Sequence, residues 1–82
     1  MAKYDPIERF LGDRTGEAVT VTFAELDQIV GGLPPSARKH RPWWGNEVSP
    51  ARSQARAWMA AGFLVEHVDL EREVATFRRA GS

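Results

Sequence analysis

The chain has 82 residues, enough for one modest hydrophobic core, and its 43% apolar content argues against disorder, with Phe10, Phe23, Trp58, Phe63 and Phe77 as large core candidates. It contains no cysteine, which excludes disulfide frameworks and thiolate zinc sites and leaves packing to carry the fold. Eleven Lys and Arg balance eleven Asp and Glu, an overall neutrality that argues mildly against a nucleic-acid binder.

Asp5-Pro6 opens a helix, Asp suiting the cap and Pro the first helical position, and Ile7, Phe10 and Leu11 share its apolar face. Gly12 and the polar stretch to Gly16 end it. Residues 18–22, Ala-Val-Thr-Val-Thr, alternate with β-branched side chains as a short strand does. Thr22-Phe23-Ala24-Glu25 has the spacing of a capping box, which starts a second helix with Phe23, Leu26, Ile29 and Val30 on one stripe. Gly31-Gly32 supplies a left-handed stop, and Pro34-Pro35 prevents continuation.

Residues 36–40 have the makings of one further helical turn, ended by Pro42, after which Trp43-Trp44-Gly45-Asn46 reads as a loop. Ser49-Pro50 starts a third helix over residues 51–61, ended by Gly62. Residues 63–68 and 73–78 are strand-like and flank the polar tip 69–72, which predicts a β-hairpin. Residues 1–82 are therefore expected to form one domain, ordered over about 4–79. No apolar run is long enough to cross a bilayer and no secretory h-region opens the chain, so it is expected to be cytoplasmic.

Charge is unevenly distributed. Residues 1–35 carry a net −3, and residues 60–82 a net −1. Between them, residues 36–59 hold Arg38, Lys39, Arg41, Arg52 and Arg56 against Glu47 alone, a net +4. This middle segment is the expected working surface.

The element order predicts an α+β fold of the winged helix-turn-helix kind: three helices, a short early strand paired with the hairpin, and the last helix presented outward. The connection from Gly31 to Val48 is long for such a turn. On the third helix Ala51, Ala55 and Trp58 form an inward stripe, leaving Arg52, Ser53 and Arg56 on exposed neighbouring positions with Gln54 nearby. Arg suits guanine or phosphate, Gln suits adenine and Ser bonds either. The same residues also fit an ordinary solvated face.

Arg38-Lys39-His40-Arg41 is the one dense cationic run, and the adjacent Trp43-Trp44 offers aromatic faces on which bases or sugars can lie. In a domain this small one of the two Trp residues is expected in the core, but not both fully buried, since Pro42 and Gly45-Asn46 mark exposed backbone. Trp58 is expected in the core. His40 and His67 have no partners at ligand spacing, so no metal or other cofactor is expected; His67 reads as a cross-strand packing residue. Glu71 and Glu73 sit at the hairpin tip, where nothing would raise a carboxyl pKa, and no nucleophile–base set is present. The chain is not expected to be an enzyme.

Leu33-Pro34, Ser36-Ala37, Trp43-Trp44 with Asn46, Gln54-Ala55 with Trp58, Ala61-Gly62-Phe63 with Val65, Val68-Asp69-Leu70 and Phe77-Arg78-Arg79 form a pattern that resembles a group of small, mostly uncharacterised bacterial proteins, and Thr22-Phe23-Ala24-Glu25 fits it too. The resemblance implies a compact domain and groups Trp44, Asn46 and Gln54 into one set suited to a pocket or contact patch. The leading expectation is a small regulator that binds double-stranded DNA, with Arg38, Lys39 and Arg41 on phosphates and Arg52, Ser53, Gln54 and Arg56 facing the groove beside Trp44 and Asn46. A protein-interaction or homodimerisation module anchored by Trp43, Trp44 and Arg41 is the alternative. A ligand or modified-base pocket at Trp43, Trp44, Asn46 and Gln54 is the third.

Overall fold

The computed structural model describes residues 3–47 and 53–81. Its elements are α1 (Asp5–Gly12), β1 (Ala18–Thr22), α2 (Phe23–Val30), α3 (Pro35–Lys39), a 3-10 turn at Arg41–Trp44, α4 (Ser53–Ala60), β2 (Phe63–Asp69) and β3 (Val74–Arg79). The fold is α+β, with four α-helices and a three-stranded antiparallel sheet in the order β1-β3-β2 among the described residues. Ser49, Pro50, Ala51 and Arg52, the expected start of the last helix, lie outside the described residues.

The local signals act largely as their chemistry requires. Asp5 is not the cap but the first residue of α1: Tyr4 holds the cap position, and Asp5 joins Glu8 in a first turn where acidic groups favour the helix dipole. The capping box at α2 is complete, Thr22 Oγ1 accepting from the Glu25 amide at 3.1 Å while Glu25 Oε1 accepts from the Thr22 amide at 3.0 Å. Gly31 ends α2 with a φ of 80°, a left-handed conformation that costs glycine little.

The early strand pairs with the hairpin, as expected. Val19 lies opposite Phe77 and Val21 opposite Ala75, while Val68 of β2 faces the other side of Ala75. Alternation then sends Val21, Phe63, Val68, Ala75 and Phe77 into the core, where they meet Ile7, Leu11, Phe23, Leu26 and Trp58 from the helices. On the opposite face Thr20 and Thr76 bring their hydroxyls together at 3.4 Å, and Arg78 reaches Glu66. Val65 pairs with Phe77 but His67 with Thr76, so Glu66 is the extra residue of a β-bulge. His67 beside it is exposed, not a packing residue.

The long connection between α2 and α4 is not an appended loop. Its Trp residues turn inward, with Trp43 at 9% and Trp44 at 2% relative exposure, so both are buried and the expectation of a partly exposed pair is corrected. Trp44 stacks between Phe23 of α2, at 5.0 Å between ring centres, and Trp58 of α4, at 6.0 Å. Trp43 meets Trp44 edge-on at 4.7 Å and receives the Tyr4 ring at 5.8 Å. Trp58, fully buried as expected, continues the cluster to Phe77. The connection is long because it supplies an aromatic layer between two helices.

Candidate nucleic-acid interface

Helix α4 buries more of its circumference than the alanine stripe predicts. Gln54, Ala55, Ala57 and Trp58 are all buried, leaving Ser53, Arg56 and Ala60 exposed on one side. Gln54 is 5% exposed, and its Nε2 donates to the Trp43 carbonyl at 3.0 Å. That bond satisfies a buried carbonyl of the 3-10 turn, so Gln54 does not face a groove. A polar residue on the inner side of a helix is indistinguishable by spacing from one on its flank, which is why the sequence pattern misplaces it.

Trp44 and Asn46 share this internal role. Trp44 Nε1 donates to the Ala37 carbonyl at 2.7 Å, tying the 3-10 turn to α3. Asn46 Oδ1 accepts from Trp58 Nε1 at 3.0 Å and from the Val65 amide at 2.9 Å, while its Nδ2 donates to the Val65 carbonyl at 3.0 Å. Trp44, Asn46 and Gln54 are therefore brought together, as the family pattern implies, but their polar atoms are spent on joining the connection to α3, α4 and β2.

The basic run divides. Arg38 grips Asp27 of α2 with two bonds, Nη2 to Oδ2 at 2.6 Å and Nη1 to Oδ1 at 3.2 Å, and its Nε reaches Glu73 Oε2 at 3.2 Å. Asp27 Oδ1 also accepts the Leu33 amide at 2.8 Å. The Arg38 bonds, followed by the Leu33 amide, hold the Asp27 carboxyl below its ordinary pKa, and the same carboxylate raises that of Arg38. With two acids at its guanidinium, Arg38 is a brace between α2 and the hairpin, not a free phosphate ligand. Nothing in the spacing of residues 27, 38 and 73 announces this triad.

Lys39 is exposed and has no ion-pair partner among the described residues. Arg41 is exposed too, and one of its terminal nitrogens donates to the Val68 carbonyl on β2. Of the nine predicted contact residues, Lys39, Arg41, Ser53 and Arg56 thus retain polar groups for an outside partner. Arg38, Trp44, Asn46 and Gln54 are committed internally, and Arg52 lies outside the described residues.

The tip of the hairpin adds little positive charge. Asp69 Oδ1 accepts the amides of Glu71 and Arg72, each at 3.0 Å, which closes the turn and, through the Arg72 amide first, lowers the Asp69 pKa. Among the described residues no group of three His, Cys, Asp or Glu side chains can hold a metal ion, and no helix is long and apolar enough to cross a membrane.

No curated protein and no solved structure matches the chain. A family model does, across residues 4–80, and by that match the chain belongs to the family described as a domain of unknown function, DUF7662.

Proposed function

We propose that this domain is a small cytoplasmic DNA-binding module of the winged-helix type, a regulator and not an enzyme, that sets the exposed side of α4 against the duplex. The observation that carries the reading is the β1-β3-β2 order, in which the early strand joins the hairpin and α4 leads through Gly62 directly into β2. In that arrangement Ser53 and Arg56 face outward, and Lys39, with no ion-pair partner among the described residues, adds an exposed cation from the end of α3. Arg56 has the chemistry for guanine or phosphate, Ser53 for either groove edge or phosphate, and Lys39 for phosphate alone. The hairpin tip, with its acids, contributes less than a basic wing would.

The competing protein-interaction reading loses its two aromatic anchors, because both Trp43 and Trp44 are core residues, and keeps only the exposed Arg41. Titrating a labelled duplex by fluorescence anisotropy across salt tests the proposal. Binding is expected at low salt, and Lys39→Ala and Arg56→Ala are each expected to flatten the salt slope by about 1. Absence of binding at low salt sinks the reading, since phosphate contacts are strongest there.

A further inference from the structure

A groove of about 380 Å³ runs between the 3-10 turn and the outer edge of β2, lined by Arg41, Trp44, Asn46, Glu66, His67 and Val68 among others. Its charge is better defined than its composition suggests. Glu66 gives both carboxylate oxygens to Arg78, at 2.6 and 3.1 Å, so its charge is matched from the neighbouring strand. Asp69 turns an oxygen to the hairpin amides. Among the described residues Arg41 has no carboxylate partner: its anchor is the neutral Val68 carbonyl, which fixes the guanidinium without neutralising its charge.

One terminal nitrogen of Arg41 is occupied, which leaves Nε and the other terminal nitrogen as a pair of parallel donors, the geometry that grips two oxygens of one tetrahedral anion. His67, exposed on the β-bulge of the same groove, adds an imidazole donor. The bulge puts both Glu66 and His67 opposite Thr76, so His67 stays exposed beside the groove and does not turn into the core. We infer that this groove is a phosphate-binding site, with Arg41 as the two-point ligand and His67 as the second donor. The ligand chemistry is a phosphate group, carried by a small phosphorylated molecule or by a nucleic-acid backbone. The site uses none of the α4 residues and stands whether or not duplex DNA is bound there.

The test is a titration of the full chain, followed by amide and arginine Nε NMR signals, with inorganic phosphate and separately with a short duplex, using chloride at matched ionic strength as the control. Phosphate is expected to give saturable shifts at Arg41 Nε, His67 and Val68 that chloride does not reproduce. Arg41→Gln and His67→Ala are each expected to weaken phosphate about tenfold, the loss of one charge-assisted bond. His67→Ala leaves the Arg41–Val68 bond in place, so it carries the test if Arg41→Gln fails to fold. No saturable shift, equal shifts with chloride, or wild-type affinity in His67→Ala overturns the site. Saturable phosphate without duplex binding upholds the groove, assigns it to small phosphorylated ligands and removes the DNA reading. Duplex binding without phosphate shifts at the groove removes the groove and leaves that reading intact.

Discussion

Asn46 makes with Val65 the two hydrogen bonds that a residue on a neighbouring strand would make, its Nδ2 giving to the Val65 carbonyl at 3.0 Å and its Oδ1 taking the Val65 amide at 2.9 Å. One primary amide thus stands in for a peptide group on the open edge of β2, and Arg41 closes the next part of that edge at the Val68 carbonyl. Edge strands left unpaired are templates for association, and side chains that occupy their backbone groups remove the template.

Asn46→Ala should lower stability by about 2 kcal/mol, because the Val65 amide and Trp58 Nε1 each lose a partner. In a domain of this size that corresponds to a fall in Tm of roughly 8–16 °C in a thermal melt. Asn46→Asp keeps the two acceptor contacts and should fall between wild type and Ala. Sedimentation should also show more self-association for the Ala variant, from the exposed β2 edge.

Gln54→Leu preserves volume but strips the Trp43 carbonyl of its donor, so a loss of about 1–2 kcal/mol is expected in chemical denaturation. Affinity for duplex DNA should not change beyond what unfolding explains. A selective loss of binding with unchanged stability would return Gln54 to the interface.

The three Trp residues should emit as buried indoles and resist iodide quenching in the folded state, because none exceeds 9% exposure. Trp44→Ala removes a ring stacked on both Phe23 and Trp58 and should cost about 3–5 kcal/mol, a large part of what so small a domain has. Circular dichroism of that variant should show a substantially unfolded population at room temperature.

Asp27, Glu25, Asp69 and Glu66 all have carboxyl pKa values lowered by hydrogen bonds, to Arg38, Thr22, Arg72 and Arg78 first in each case. A lowered folded-state pKa means that the unfolded chain takes up protons first. The stabilisation is therefore complete above the ordinary values of 3.8 for Asp and 4.5 for Glu, and is lost as pH falls through the lower folded values. Asp27→Asn should be less stable than wild type at neutral pH, and the difference should shrink as acid is added. A gap that stays constant down to the acid transition would contradict the role assigned to the Arg38 brace.

Much of the fold is written in short-range signals: the Thr22–Glu25 box, the glycine after α2 and the alternation along β1 each depend on residues within a few positions of one another. The candidate site was less legible for a physical reason. Arg38 meets Glu73 across 35 positions, Asn46 meets Val65 across 19 and Gln54 meets Trp43 across 11. No periodicity records such pairings, so polar residues with internal partners looked the same as polar residues waiting for external ones. The Trp pair misled similarly: Pro42 and Asn46 are exposed as expected, yet the backbone between them turns both rings inward.

The shared oxygen of Asn46 also bears on how the molecule opens. Because Oδ1 is held by Trp58 of α4 and Val65 of β2 at once, the helical half and the hairpin cannot separate without releasing it. An edge amide ordinarily exchanges its hydrogen through small local fluctuations, but the Val65 amide is expected to exchange only at the rate set by global unfolding. A single polar side chain in the connecting segment would then make two structural halves one cooperative unit, visible as an outer-strand amide among the slowest to exchange in heavy water.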